Sequence, residues 1–152
     1  MSELKEEEIR VFIDAVRNYF LQLTQHTALV RASYLAVNEV PNFSYTGLIT
    51  LSGQFRGCVY VSTQAEMLTA LLLEMREPDR SEENLLDTIG ELANTIAGNA
   101  RRYFGTGLQI SVPIAIKGIS EKIRAYTRLR PLVILVQWQH HEIAVVVDLK
   151  SG

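Results

Sequence analysis

The sequence predicts an α+β fold, with helices packed on a mostly antiparallel sheet in the order α-βββ-αα-βββ. In three segments the apolar residues recur at steps of three and four, which is the period of an amphipathic helix. Six other segments are rich in β-branched and aromatic residues, as strands usually are. Two pairs of these strands are separated by only two or three residues, which favours antiparallel hairpins.

The first half of the chain supplies one helix and three strands. Residues 3–24 form the first predicted helix, because six apolar residues repeat along one face of it: Ile9, Phe12, Ile13, Val16, Phe20 and Leu23. Residues 28–37 change to a pattern rich in β-branched and aromatic residues, which predicts a strand. Residues 45–52 and 55–62 are the arms of a predicted hairpin that turns at Gly53 and Gln54.

Two helices follow the hairpin. Residues 65–75 return to a helical period, and Pro78 ends that helix. Ser81 is a good N-cap and Glu82 and Glu83 complement the helix dipole, so another helix begins here. It runs to about Phe104, where the glycines at 105 and 107 end it.

Three strands close the chain, at residues 109–117, 132–138 and 142–149, and the last two form a hairpin. Residues 132–136 are apolar at every position, which predicts a central strand covered on both faces. Pro113 cannot donate a backbone hydrogen bond, so the strand that contains it lies at a sheet edge or carries a bulge. Residues 118–130 fit either a loop or the extended start of a strand.

The long helix that begins after Ser81 has two different faces. At about 100° per residue, six residues form an apolar stripe that faces the core: Leu86, Ile89, Ala93, Ile96, Ala100 and Tyr103. A second row lies on the opposite side and therefore points to solvent: Asp87, Glu91, Asn94 and Gly98. Asn is a mediocre residue for a helix interior, and Glu91 has Thr95 instead of Lys or Arg four residues on. Because helix stability does not explain this row, we expect the functional residues there.

Length and composition limit the class of protein. The 152 residues suffice for a hydrophobic core, and we expect one domain over residues 1–152. The formal net charge is −2 and no basic block stands out, which argues against nucleic-acid binding. No apolar run approaches the about 20 residues that cross a bilayer, so we expect no membrane insertion. An acidic N-terminus and a single cysteine, Cys58, fit a cytoplasmic protein.

The segment DTIGELAN, residues 87–94, resembles the signature of the CheC/CheX/FliY chemotaxis phosphatases. That signature is Asp or Ser, three residues, Glu, two residues and Asn, and here these positions are Asp87, Glu91 and Asn94. The following AGNARRYF and the order of elements are similar to CheX-type proteins. The family also places a proline downstream of the Asn, and Pro113 comes a few residues earlier than usual. CheC-type members carry two copies of the motif. This sequence has one copy, and in that respect it resembles CheX-type members.

The resemblance implies a phosphatase that acts on the aspartyl phosphate of a CheY-like response regulator. Asn94 would orient the attacking water, because its amide both donates and accepts hydrogen bonds, and Glu91 would bind a lysine of the regulator. Gly98 would leave room for the partner's backbone, while Asp87 and Pro113 would support the site. We expect no cofactor on this chain, since the Mg²⁺ belongs to the regulator's phosphoryl site. The resemblance also implies a homodimer.

Two other functions fit the sequence. A non-catalytic CheX-like module would bind a response regulator or another signalling partner without hydrolysing anything. A small-molecule-binding domain would have an apolar cavity between helices and sheet, lined by Tyr34, Tyr45 or Tyr60. Glu and Asn on an exposed helix face are also often only solvated residues.

Other polar residues fit structural roles better. His140, His141 and Glu142 are neighbours on a hairpin, where adjacent side chains point to opposite faces, so a polar turn explains them better than a metal site. We therefore predict no metal site. Cys58 lies in an apolar strand with no nearby base, which favours a buried, inert thiol.

Overall fold

A computed structural model describes residues 4–37, 39–118 and 130–151 of the chain. Along these residues the elements are α1 (Glu6–Thr24), β1 (Leu29–Leu35), β2 (Tyr45–Gly53), β3 (Phe55–Thr63), α2 (Ala65–Glu74), α3 (Glu82–Phe104), β4 (Leu108–Ile110), β5 (Ile114–Lys117), β6 (Leu132–Trp138) and β7 (His141–Ser151). The predicted α+β class, the three helices and both hairpins are confirmed. Most of the unassigned stretch, residues 119–129, lies outside the described residues.

The strands form one sheet in the order β1-β6-β7-β3-β2-β4, and β5 pairs with β2 next to β4. Every pair in it is antiparallel. The longest pairing joins β3 and β7, from Phe55↔Ser151 to Thr63↔Ile143. β6 lies between β1 and β7 and is almost entirely buried, so the predicted central strand is confirmed.

The sheet is covered on both faces. The larger hydrophobic cluster packs all three helices against one face and includes Phe12, Met67, Leu92, Ile134 and Trp138. The smaller cluster lies on the opposite face, because its members alternate along the strands with those of the larger one: Ala36, Leu48, Tyr60, Val133 and Val146. None of the helices in the described residues is both long and apolar enough to cross a membrane.

The predicted strand over residues 109–117 is broken into two short strands. Between the pairs Leu51↔Ile110 and Leu48↔Ile114, β2 advances by three residues while the other segment advances by four. One residue is therefore extra, which makes a β-bulge at the edge of the sheet. Pro113 lies in this bulge and supplies the cause, since its nitrogen has no hydrogen to donate to β2. The expectation of an edge or a bulge at Pro113 is confirmed in both respects.

Candidate active site on helix α3

Helix α3 begins and ends where the sequence predicts. The Ser81 hydroxyl accepts a hydrogen bond from the Asn84 backbone N–H at 3.4 Å, and the Asp79 carboxylate accepts one from the Ser81 N–H at 3.0 Å. At the other end Gly105 adopts a φ of 80°, and its N–H donates to the carbonyl of Arg101. Both ends of the helix are therefore capped, which satisfies backbone groups that have no partner inside the helix.

The buried face of α3 is wider than the predicted stripe. Nine residues of it are buried: Leu85, Thr88, Ile89, Gly90, Leu92, Ala93, Ile96, Ala97 and Ala100. The prediction that Tyr103 belongs to the core is wrong, because its side chain is 50% exposed. Phe104 takes that place instead, with its ring 6.2 Å from that of Phe12 and 5.0 Å from that of Phe55.

The opposite row of α3 points to solvent, as the helical period predicts. Asp87 and Glu91 are exposed, and Asn94 and Gly98 are half-buried. Among the described residues, the side chains of Asp87, Glu91 and Asn94 form no hydrogen bond or ion pair. Glu91 and Asn94 are separated by three residues, so they project from the same side of the helix. The row thus offers a free carboxylate and a free amide to the same external group.

Gly98 opens a gap in this row. A Cβ built on it would meet no heavy atom of the described residues within 4 Å, so no packing in that part of the chain requires a glycine there. A glycine inside a helix costs about 1 kcal/mol relative to alanine. No contact within the described ranges compensates for this cost, so a role of Gly98 at the surface is a better explanation for the glycine.

The bulge of β4–β5 flanks the row on one side. A Cβ on Gly90 would lie 3.4 Å from the Pro113 side chain, so Pro113 sits against the turn of α3 from which Glu91 projects. Around the helix axis, Asn94 lies about 40° from Gly90 and Glu91 about 100°. The predicted supporting residue Pro113 is therefore near the row, and it is closer to the Asn94 side of it.

Helix α1 flanks the row on the other side. Tyr19 of α1 lies close enough to Glu91 for the negative charge of that carboxylate to act on the Tyr19 hydroxyl. Burial first, and the charge of Glu91 second, raise the pKa of the Tyr19 hydroxyl to about 12. Tyr19 therefore remains protonated at neutral pH.

Sequence reasoning missed the residue that brings α3 down onto the sheet. A Cβ on Gly47 of β2 would overlap the backbone carbonyl of Ile89, so only glycine allows this close approach. A glycine inside an otherwise apolar strand was the available signal, since such a residue often marks a close backbone contact. Tyr19 carried no comparable signal, because its nearness to Glu91 depends on how α1 and α3 pack.

The other candidate residues are placed away from this row. Cys58 is buried, as predicted, and burial raises the pKa of its thiol to about 12. The rings of His140 and His141 are 4.2 Å apart, so the expectation that these neighbours point to opposite faces is wrong, because His140 lies in the β6–β7 turn and not in a strand. Within the described ranges, no group of three or more His, Cys, Asp or Glu side chains is arranged to hold a metal ion.

The three tyrosines proposed for a small-molecule cavity do not come together. Tyr45 packs in the larger cluster and Tyr60 in the smaller one, on opposite faces of the sheet. The Tyr60 hydroxyl donates to the carbonyl of Pro41 at 2.6 Å, and Tyr34 is largely exposed. Tyr45 therefore cannot line the same cavity as Tyr60.

Comparison with known proteins points to one family. The sequence matches the family model described as "Chemotaxis phosphatase CheX" over residues 45–137, more than half of the chain. No curated protein matches the sequence.

Several solved structures share the fold. The chemotaxis protein CheX from Vibrio vulnificus is 17% identical, with a TM-score of 0.79 over 95% of this chain and 99% of that one. A putative chemotaxis protein from Desulfovibrio vulgaris Hildenborough is 22% identical, with a TM-score of 0.80 over 98% and 100% of the two chains. A CheX-CheY-BeF3-Mg²⁺ complex from Borrelia burgdorferi contains a chain that is 16% identical, with a TM-score of 0.73 over 97% and 100%.

Proposed function

The chain belongs to the CheX family of chemotaxis phosphatases, and on that premise we propose that it hydrolyses the aspartyl phosphate of a CheY-like response regulator. The observation that carries this proposal is the pair Glu91 and Asn94. The two side chains share the solvent-facing row of α3, and neither forms a hydrogen bond or an ion pair with the described residues. The CheX-CheY-BeF3-Mg²⁺ complex from Borrelia burgdorferi, which has the same fold, supports a partner of this kind.

Asn94 is the group that acts on water. An acyl phosphate is already reactive, so hydrolysis needs a water molecule held in line with the phosphorus atom. The Asn94 amide can donate one hydrogen bond and accept another, which fixes the orientation of a water. The amide does not take up a proton at neutral pH and therefore does not act as a general base. Its contribution to the rate comes from positioning.

Glu91 is the group that holds the partner. Its exposed carboxylate forms no ion pair with the described residues, so it is available to a lysine ammonium of the regulator. Once the complex forms, water is excluded and this ion pair strengthens. Because Glu91 precedes Asn94 by one turn, docking at Glu91 brings the Asn94 amide to the neighbouring phosphoryl group.

The remaining predicted residues support this contact. The gap at Gly98 gives the partner's backbone room to approach, and Asp87 extends the acidic side of the row by one turn. Pro113 packs at Gly90 and fixes the loop that flanks the row. The Mg²⁺ of the reaction would arrive in the regulator's own phosphoryl site, and this chain supplies no ligand to it.

We also propose that residues 1–152 form one CheX-like domain that acts in the cytoplasm and assembles as a homodimer. Strand β1 ends the sheet, and its outer edge is unpaired in the described part of the chain. Leu29 and Tyr34 of this strand are exposed, which supports β1 as a surface for a second copy. Sedimentation equilibrium tests this, with a mass of two chains expected.

The experiment that tests the function follows the decay of a phosphorylated CheY-like regulator and, separately, binding to its beryllofluoride-activated form. The wild-type protein should shorten the phosphate lifetime. Glu91→Gln should weaken binding about tenfold or more, whereas Glu66→Gln, the same charge change at an exposed position of α2, should not. Tight binding with an unchanged phosphate lifetime would overturn the phosphatase and leave the non-catalytic binding module.

A further inference from the structure

An apolar segment next to the row is unusually exposed. Val112 is 82% exposed and Ile114 is 41% exposed, and Pro113 between them is also exposed. We call residues 112–114 the apolar lip. A single exposed apolar side chain is ordinary, but three consecutive ones form a continuous apolar patch, and such patches often mark a contact surface.

The bulge itself turns Val112 outward. Strict alternation from Leu108 and Ile110 would place Val112 on the face that carries the core. The extra residue breaks that alternation and re-aims the side chain to solvent, which is what bulges beside functional sites commonly do.

The lip is held rigidly in this position. The Ser111 N–H donates to the carbonyl of Thr50 at 3.0 Å, and the Thr50 N–H donates to the Ser111 hydroxyl at 2.9 Å. The same hydroxyl donates to the carbonyl of Val112 at 2.9 Å. A side chain on so fixed a backbone loses little conformational entropy when a partner covers it.

The lip is continuous with the Glu91–Asn94 row. Pro113 touches the α3 turn at Gly90, and Asn94 lies only about 40° further around the helix. Residues 111–116 contain no charged side chain, while Asp87 and Glu91 are acidic. The surface thus has a charged side beside α1 and an apolar side at the lip, with the amide between them.

We propose that Val112 is an apolar anchor for the response regulator, covered by an uncharged surface of the regulator beside its phosphorylation site. This inference rests on the proposed function, because it takes the Glu91–Asn94 row as the place where the regulator docks. A group that binds at the Asn94 amide comes close to the lip, since Pro113 borders that side of the row. Val112 then contributes to affinity and selects regulators that are apolar there, while Asn94 sets the rate.

The test is Val112→Ser, measured as the dissociation constant for a beryllofluoride-activated CheY-like regulator with Mg²⁺. Burial of a valine side chain corresponds to a change of about tenfold in affinity, so binding should weaken by about that factor. Val112→Ile, which keeps the apolar contact, should bind as the wild type does. Val37→Ser is the matched control, because Val37 is 73% exposed and follows β1, which lies at the opposite edge of the sheet from the lip, so it should have no effect.

The outcomes separate this inference from the proposed function. When the regulator is saturating, the Val112→Ser protein should dephosphorylate it at the wild-type rate. The Asn94→Ala protein should remain slow under the same conditions. Wild-type affinity in Val112→Ser, or an equal loss in Val37→Ser, overturns the anchor and leaves the phosphatase intact. If Val112→Ser weakens binding but the wild-type protein does not shorten the phosphate lifetime, the anchor is supported and the phosphatase is overturned. A wild-type protein that binds no regulator overturns both.

Discussion

Replacing Gly98 with alanine should make the free protein more stable and less active. Of the residues that the structure describes, none has an atom within 4 Å of the added methyl group, so we expect the substitution to introduce no clash. Alanine is better than glycine inside a helix by about 1 kcal/mol. For a chain of this size, that corresponds to a rise in melting temperature of about 2–4 °C. Thermal unfolding followed by circular dichroism measures this directly.

The same methyl group should obstruct the partner. Gly98 follows Asn94 by one turn on the row, so a Cβ there stands where we place the regulator's backbone. We expect the KM for the phosphorylated regulator to rise about tenfold, as for other overpacked contacts. Asn99→Ala is the matched control, because it also improves helix propensity but points about 100° away from Gly98. A Gly98→Ala protein with wild-type KM would refute the placement of the partner on this row.

Two further predictions concern how the site is supported. Gly47→Ala should destabilise the protein by about 2–3 kcal/mol in urea unfolding, because the added Cβ overlaps the Ile89 carbonyl and pushes α3 away from the sheet. No loss of stability would mean that α3 does not lie this close to β2. The hydrogen bond and charge of Lys117 hold the pKa of the Glu82 carboxyl below its ordinary value, so this stabilisation is present above about pH 4 and is lost as the pH falls. Lys117→Gln should therefore lower the melting temperature more at pH 7 than at pH 3, and an equal effect at both values would contradict the pairing.

The exposed row of α3 could be predicted from the sequence because it depends only on helical geometry. Once Ile89, Ala93 and Ile96 face the core, the positions of Glu91 and Asn94 follow at about 100° per residue. The same local logic places the caps at Ser81 and Gly105. These features depend on neighbours a few residues away in the chain.

The features that the sequence did not reveal depend on long-range packing. Tyr103 and Phe104 are adjacent and both apolar, and which of them enters the core is decided by the positions of Phe12 and Phe55. Val112 continues the alternation of an ordinary strand, and only the register of β2 against β4 and β5 shows the extra residue. The close approach of α3 at Gly47 likewise requires the tertiary arrangement.

The lifetime of the phosphoaspartate in a regulator saturated with Asn94→Ala protein tests the central claim most directly. If the amide orients the attacking water, the variant should bind the beryllofluoride-activated regulator nearly as well as the wild type does. Its hydrolysis rate should nevertheless fall by about 100-fold or more, to that of the regulator alone. A phosphate lifetime as short with Asn94→Ala as with the wild-type protein would contradict the account.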